Sequence, residues 1–126
     1  MKTKNIIVLI VIALVVVSAV FYFIRSQEDT SGRLDEFAKC LKDKEAVFYG
    51  AFWCSHCQAQ KKLFGSSKQY LPYVECSTPD SKNQLPVCKD QNITNYPTWK
   101  FADGTMTTGE MGLQQLAEKT GCQLPQ

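Results

Sequence analysis

Two cysteines separated by two residues, Cys54 and Cys57, are the side chains of this 126-residue chain best suited to chemistry. An apolar run at 46–52 precedes them and an amphipathic stretch at 58–64 follows, which predicts a strand leading into a helix that begins at Cys54. A thiol there faces unpaired backbone N–H groups and the positive end of the helix dipole, which favour the reactive thiolate. Cys57 lies one turn later and can close a disulfide with Cys54. The pair is therefore predicted to be a two-electron redox switch.

The rest of the pattern predicts a small α/β domain around this switch, with elements in the order αβαβαββα. They are a helix at 33–43, a strand at 46–52, a helix at 54–64, a strand at 73–76, a helix at 82–90, strands at 98–102 and 105–108, and a helix at 113–119. Pro86 lies inside the helix predicted at 82–90, where proline is unfavourable. Asp103-Gly104 between two short strands is a strong hairpin signal.

The N-terminal segment predicts a membrane span. Residues 6–24 carry no charge, and these 19 residues are long enough to cross the hydrocarbon core as a helix. Lys2 and Lys4 precede them, which predicts a cytoplasmic N-terminus and an exported remainder. A cleaved signal peptide, with 17–19 as the cleavage site, is the alternative. The predicted organisation is an anchor at 1–26, a linker at 27–32 and a globular domain at 33–126.

Cysteine content and charge agree with export. Six cysteines in a small domain are typical of an oxidising compartment. From Arg33 onward the chain has 11 basic and 10 acidic side chains, and this balance argues against nucleic-acid binding or a polybasic lipid patch. The membrane is therefore expected to be contacted only through residues 6–24.

Several short stretches of the sequence together resemble one branch of the thioredoxin superfamily. They are 48–54, the Gln58-x-x-Lys61 run ending at Phe64-Gly65, 73–76 and 96–99. This branch is the thioredoxin-like domain found fused to, or working beside, bacterial and plant homologues of vitamin K epoxide reductase. The resemblance covers about 37–122. It implies a thioredoxin-like fold, in which helices flank a central mixed sheet of about four strands.

The resemblance also implies roles for residues near the switch. Cys54 is expected to be the attacking, more exposed thiol, and Cys57 the resolving one. Pro97 is expected to be a cis-proline that leaves the backbone of Tyr96 free to pair with a substrate strand, although an ordinary turn proline is the alternative. Two further residues beside the cysteines, Trp53 and Ser55, are expected to join Tyr96 in contacting the substrate.

Two departures from related proteins bear on the chemistry. His56 between the cysteines can stabilise the Cys54 thiolate, or it is a bystander at an exposed helix start. The proline that usually precedes this histidine is replaced by Ser55. Thioredoxins place a buried Asp six residues before the first cysteine, where this chain has Phe48. Deprotonation of Cys57 then has to use water or a group such as Glu75 or Lys61.

The other four cysteines are expected to be structural. In the domains that this sequence resembles, a second pair at the positions of Cys76 and Cys88 is common, so these two are expected to form a disulfide. Cys40 and Cys122 are then left for each other. The alternative is that one of these two is a shuttle thiol that passes electrons to a partner.

Three functions remain open from the sequence. The favoured one is a membrane-anchored thiol–disulfide oxidoreductase outside the cytoplasmic membrane, which acts on thiols of exported proteins. A quinone-linked membrane partner of the vitamin K epoxide reductase type would recharge it, and no cofactor or metal is expected. The second is a reductase or isomerase, for instance in cytochrome maturation. The third, least favoured, is a metal-binding module that uses Cys54, Cys57 and His56.

The first testable prediction concerns the reduction potential of the Cys54–Cys57 couple. A histidine that stabilises the thiolate makes the disulfide more oxidising, but the usual proline is missing, so we expect an intermediate value. It should lie above that of thioredoxin, about −270 mV, and at or below that of DsbA, about −120 mV. Equilibration with glutathione buffers measures it, and a value close to that of thioredoxin contradicts the prediction.

Overall fold

A computed structural model of the protein describes residues 2–28 and 32–125. The chain divides into two compact units, residues 1–32 and 33–126. Residues 29–31 of the predicted linker lie outside the described residues.

In the described residues of the first unit there is one helix, α1, over Lys2–Glu28. Its stretch Thr3–Phe23 has a mean hydropathy of 3.2 and is long and apolar enough to cross a membrane. The Ser18 hydroxyl donates to the Val15 carbonyl at 2.9 Å, so this polar group is satisfied within the helix. A membrane anchor and a signal sequence both fit this helix.

The second unit contains four strands and four α-helices within the described residues. They are α2 (Asp35–Asp43), β1 (Val47–Gly50), α3 (Ser55–Lys62), β2 (Tyr73–Glu75), α4 (Pro86–Lys89), β3 (Thr98–Lys100), β4 (Met106–Thr108) and α5 (Leu113–Thr120). The strands form one sheet in the order β2-β1-β3-β4. β1 pairs with β2 in parallel, whereas β3 pairs antiparallel with both β1 and β4. The predicted α/β fold with a mixed four-stranded sheet is confirmed.

The core is built on the central strand β1. Phe48 lies opposite Tyr73 on one side and Trp99 on the other. Its ring stacks on Trp99 at 5.0 Å and meets Tyr73 edge-on at 5.1 Å. The amphipathic helix α2 adds Phe37 and Leu41 to this core. The core therefore packs around β1, the strand that leads to the two reactive cysteines.

Two element predictions need correction. The helix predicted at 82–90 is only the short α4, and Pro86 begins it rather than interrupting it. Proline is tolerated there because the N–H groups of the first helical turn have no helical partner. The segment before it is not helical because Thr78 binds the backbone of Asn83 in both directions. The helix predicted at 54–64 ends at Lys62, and an unpredicted 3₁₀ helix follows at Gly65–Tyr70.

Two disulfides link distant parts of this unit. Cys40 in α2 is bonded to Cys122 beyond α5, 82 residues away, and Cys76 after β2 is bonded to Cys88 in α4, 12 residues away. In the chain-entropy model, loops of these lengths stabilise the fold by roughly 4.5 and 3 kcal/mol. The first joins the two ends of the domain. The second closes a loop beside the reactive cysteines.

A buried glutamine fastens α3 to the chain that follows β4. Gln60 is fully buried, and its amide binds the backbone of Met111 in both directions, at 2.9 Å to the carbonyl and 2.7 Å from the N–H. The indole N–H of Trp99 also donates to its oxygen at 3.3 Å. Gln60 therefore connects the helix of the reactive cysteines to β3 and to the segment at 109–112.

The second prediction tests this connection. Gln60→Leu keeps the volume of the side chain but leaves two buried backbone groups of Met111 without partners, each worth about 1–3 kcal/mol. We expect a loss of roughly 2–4 kcal/mol, measured by urea unfolding of the full chain in detergent. The exposed Gln114 provides the matched control, and Gln114→Leu should stay within about 0.5 kcal/mol of wild type. Equal midpoints for the two variants would contradict the role of Gln60.

Candidate active site

The two cysteines of the switch lie where β1 turns into α3. Cys54 caps α3 with an extended backbone, and its sulfur accepts the N–H of Cys57 at 3.3 Å. The turn before it is held by the Gln58 amide, which donates to the carbonyl of Phe52 at 2.7 Å. A sulfur in this position satisfies one of the free N–H groups of the helix and faces its positive end, so negative charge on Cys54 is stabilised.

The two thiols differ in access. Both are free and largely buried, but Cys54 keeps 8% of its surface exposed while Cys57 keeps none. Burial, followed by the hydrogen bond with Cys54, raises the pKa of Cys57 to about 12. Cys54 therefore reaches the surface, and Cys57 is a fully buried, neutral thiol at physiological pH.

Gly50 makes room for the buried sulfur. A Cβ at this position would lie 2.9 Å from Cys57 Sγ and 2.9 Å from Cε2 of Tyr73. Any other residue would force apart the helix, the strand and the tyrosine ring. The glycine is thus required by the close approach of a side chain to the backbone of β1.

His56 points away from the core and meets an acidic residue that the sequence analysis did not identify. Its Nδ1 lies 2.6 Å from Oε1 of Glu110, and both side chains are exposed. A carboxylate can only accept, so Nδ1 carries the hydrogen and Nε2 is left for other contacts. Glu110 comes from the loop after β4, 54 residues away, and Gln60 holds the neighbouring Met111 in place. No local pattern in the sequence signals this contact.

An aromatic pair borders the cysteines. Trp53 is 53% exposed, and its ring meets that of Tyr96 edge-on at 6.1 Å. The Trp53 indole donates to the Ser77 hydroxyl at 2.8 Å, and the Gln84 amide donates to the Tyr96 hydroxyl at 2.8 Å. The loop closed by the Cys76–Cys88 disulfide contains both of these polar partners and therefore positions the two rings.

The remaining predicted residues lie close to this pair in sequence. The Tyr96–Pro97 peptide bond is cis, and Pro97 is fully buried. Ser55 is the first residue of α3 and is exposed. Among residues 2–28 and 32–125, no group of three or more His, Cys, Asp or Glu side chains could hold a metal ion.

A pair of thiols at a helix start, one at the surface and one beneath it, defines a protein built for thiol–disulfide exchange. Curated relatives agree. The chain is 45% identical over 94 residues to thiol-disulfide oxidoreductase LTO1 of Arabidopsis thaliana, covering 71% of this chain but 24% of that protein. It is 30% identical over 103 residues to protein disulfide isomerase-like 5-1 of Oryza sativa subsp. japonica, covering 75% of this chain and 70% of that protein.

These similarities identify the family. The chain spans about a quarter of the length of the Arabidopsis relative and more than two thirds of the rice relative. A scan against protein-family models gives no match. The chain belongs to the thioredoxin-like family of thiol–disulfide oxidoreductases.

The third prediction follows from the unequal thiols. In the folded protein with the 54/57 pair reduced, iodoacetamide at pH 8 should label Cys54 alone, because Cys57 is buried and its pKa is raised to about 12. A second label should appear only after unfolding or as the pH approaches that value, and mass spectrometry counts the labels. Cys54→Ser is the control and should take none while folded at pH 8. Two labels added at similar rates would contradict the prediction.

Proposed function

We propose that this protein is a membrane-anchored thiol–disulfide oxidoreductase that works outside the cytoplasmic membrane on thiols of exported proteins. The observation that carries the proposal is the stacked pair of sulfurs, with the accessible edge of Cys54 above the buried Cys57. A client thiolate can approach only Cys54. The direction of attack is thereby built into the site.

The exchange proceeds in two steps. A client thiolate attacks Cys54 Sγ of the Cys54–Cys57 disulfide, the bond between the two cysteines breaks, and Cys57 leaves as a thiolate that takes up a proton. A second client thiolate then attacks the client sulfur of the mixed disulfide, and Cys54 leaves as a thiolate. The client gains a disulfide, and the enzyme gains two electrons. In this proposal His56, two residues after Cys54, has the role of stabilising charge on that sulfur. The Tyr96–Pro97 segment and Trp53 border the client chain, with Ser55 at the exposed start of the helix.

The proposed location rests on the N-terminal helix and the disulfides. The span Thr3–Phe23 follows Lys2, and the positive-inside rule then directs the second unit to the outside. Two structural disulfides are suited to an oxidising compartment. An uncleaved span keeps the active site near the membrane and raises its effective concentration toward a membrane partner.

The proposed partner is a quinone-linked membrane protein of the vitamin K epoxide reductase type. It would accept the two electrons from the reduced pair and restore the Cys54–Cys57 disulfide. The sequence stretches at 48–54, 73–76 and 96–99, which resemble domains that work with such proteins, support this proposal.

A second candidate has the same chemistry in the opposite direction. The rice relative is named as a protein disulfide isomerase-like protein, which favours a reductase or isomerase. The two candidate functions differ in which redox state of the Cys54–Cys57 pair predominates in the cell. An oxidase accumulates with the Cys54–Cys57 disulfide closed, whereas a reductase or isomerase accumulates with it open.

The fourth prediction tests the function by trapping. Cys57→Ala in the full chain removes the resolving thiol, so Cys54 should hold clients as mixed disulfides that are visible on non-reducing gels and identified by mass spectrometry. Cys54→Ala is the matched control and should trap none. Labelling of free thiols in wild-type cells then separates the candidates. Absence of mixed disulfides with exported proteins in the Cys57→Ala variant would refute the proposed function.

A further inference from the structure

In either direction of exchange, negative charge forms on a sulfur that is fully buried. Cys57 leaves as a thiolate when the disulfide is opened, and it attacks as a thiolate when a mixed disulfide is resolved. Phe48 lies in β1 where thioredoxins have an acid, and it is buried between Trp99 and Tyr73. Phe48 can neither accept the proton of Cys57 nor balance its charge, so the thiolate depends on other groups, among them the backbone of Ala51.

Lys61 is a cation that shares an aromatic neighbour with this sulfur. It lies four residues after Cys57 in α3, so the two side chains project from the same face of the helix. Its Nζ lies 3.4 Å from the centre of the Tyr73 ring. A Cβ added to Gly50 would lie 2.9 Å from Cε2 of the same ring and also 2.9 Å from Cys57 Sγ, so the ring edge and the sulfur both lie next to Gly50. The ring thus contacts the ammonium on its face and approaches the sulfur at its edge.

Glu75 fixes this ring and accepts three hydrogen bonds. Its carboxylate accepts the Tyr73 hydroxyl at 2.6 Å, the N–H of Ser77 at 2.9 Å and the N–H of Phe52 at 3.2 Å. A carboxylate with these three donors holds the active-site turn and the Tyr73 ring in place. Its negative charge also favours the protonated form of Lys61, and it leaves Lys61 as the group free to respond to Cys57.

The pKa shifts of Lys61, Cys57 and Tyr73 agree with this arrangement. Burial lowers the pKa of Lys61, while Glu75 and then Cys57 oppose the decrease, and Lys68 adds to it. The pKa of Cys57 is raised by burial and by the hydrogen bond with Cys54, and it is lowered by a backbone hydrogen bond at Ala51 and then by the charge of Lys61. Tyr73 stays neutral because burial and its bond to Glu75 raise its pKa. Cys54, Tyr73, Glu75 and Lys68 are thus the titratable groups that bear on Lys61 and Cys57.

We propose that Lys61 is the positive charge that stabilises the Cys57 thiolate as it forms, and that Tyr73 and Glu75 are positioning residues that hold Lys61 there. The proposal rests on the proposed function, since it concerns the same exchange. When the Cys54–Cys57 bond breaks, the electron pair goes to Cys57 Sγ, Lys61 balances that charge, and the proton that neutralises it comes from water. Lys61 acts through its charge and exchanges no proton with the client.

This role has a distinctive kinetic signature. At neutral pH, Cys57 is uncharged both in the disulfide and as a thiol, because burial raises its pKa to about 12. A charge that acts only on the thiolate therefore changes the rate of exchange and leaves the reduction potential unchanged. Loss of a neighbouring opposite charge shifts a pKa by about 1–3, and exchange rates depend on the pKa of the leaving thiol, so a roughly three- to tenfold decrease in rate is expected.

The fifth prediction measures this signature in the full chain in detergent. Lys61→Met should slow both the reduction of the disulfide by dithiothreitol and the reverse reaction with oxidised dithiothreitol, followed by stopped-flow tryptophan fluorescence. The reduction potential of the Cys54–Cys57 couple in Lys61→Met should match that of wild type. Lys61→Arg keeps the charge and should restore most of the rate. Lys62→Met, at the exposed neighbouring lysine, is the matched control and should behave as wild type.

The possible outcomes decide the proposal. A wild-type rate for Lys61→Met would overturn it, as would equal slowing by Lys61→Arg, which would indicate a packing role, or a shift in the potential. Lys61→Gln is the second neutral variant and should repeat the result if the methionine variant folds poorly. Dithiothreitol needs no client, so this test stands apart from the trapping experiment. A chain that exchanges with dithiothreitol but traps no exported protein would refute the proposed function while leaving the role of Lys61 intact.

Discussion

The contact on which the site depends is that of the Cys57 sulfur with the backbone of β1 at Gly50. The absence of a side chain there lets α3 approach the strand closely, so that one sulfur of the pair is buried while the other caps the helix. Burial keeps Cys57 a neutral thiol, and the helix start favours charge on Cys54. The difference between the two sulfurs is thus a consequence of packing, and the core around Phe48 and the Gln60 connection maintain it.

The charged side chains of the site lie at its edge and not among the buried residues of the core. Glu110 reaches His56 from the loop after β4, and the ammonium of Lys61 lies over the Tyr73 ring. Each is held by a partner of its own, since Gln60 fixes the chain next to Glu110 and Glu75 fixes Tyr73. The residues of β1 therefore include no acid, and the ionic groups act from positions that water can still reach.

Local patterns predicted most of the elements because those elements depend on short-range rules. The hairpin around Asp103-Gly104 and the end of α5 at the left-handed Gly121 follow from turn chemistry. The helix predicted at 82–90 begins only at Pro86, because the side chain of Thr78 competes for the backbone of Asn83. Periodicity does not register this local alternative to the helix. Gln60 and Glu110 were missed because polar residues acquire such roles only from partners about 50 residues away.

The sequence by itself determined the chemistry that is available: two cysteines one helical turn apart at a strand–helix junction, with a histidine between them and an apolar span at the N-terminus. These features depend on neighbours along the chain, so they can be read from the order of residues. Only the tertiary structure decided which sulfur is buried, which carboxylate meets His56 and which cation lies near Cys57. Those properties arise from the packing of α3 against β1, β2 and the loop after β4, which brings together side chains from segments that are distant in the sequence.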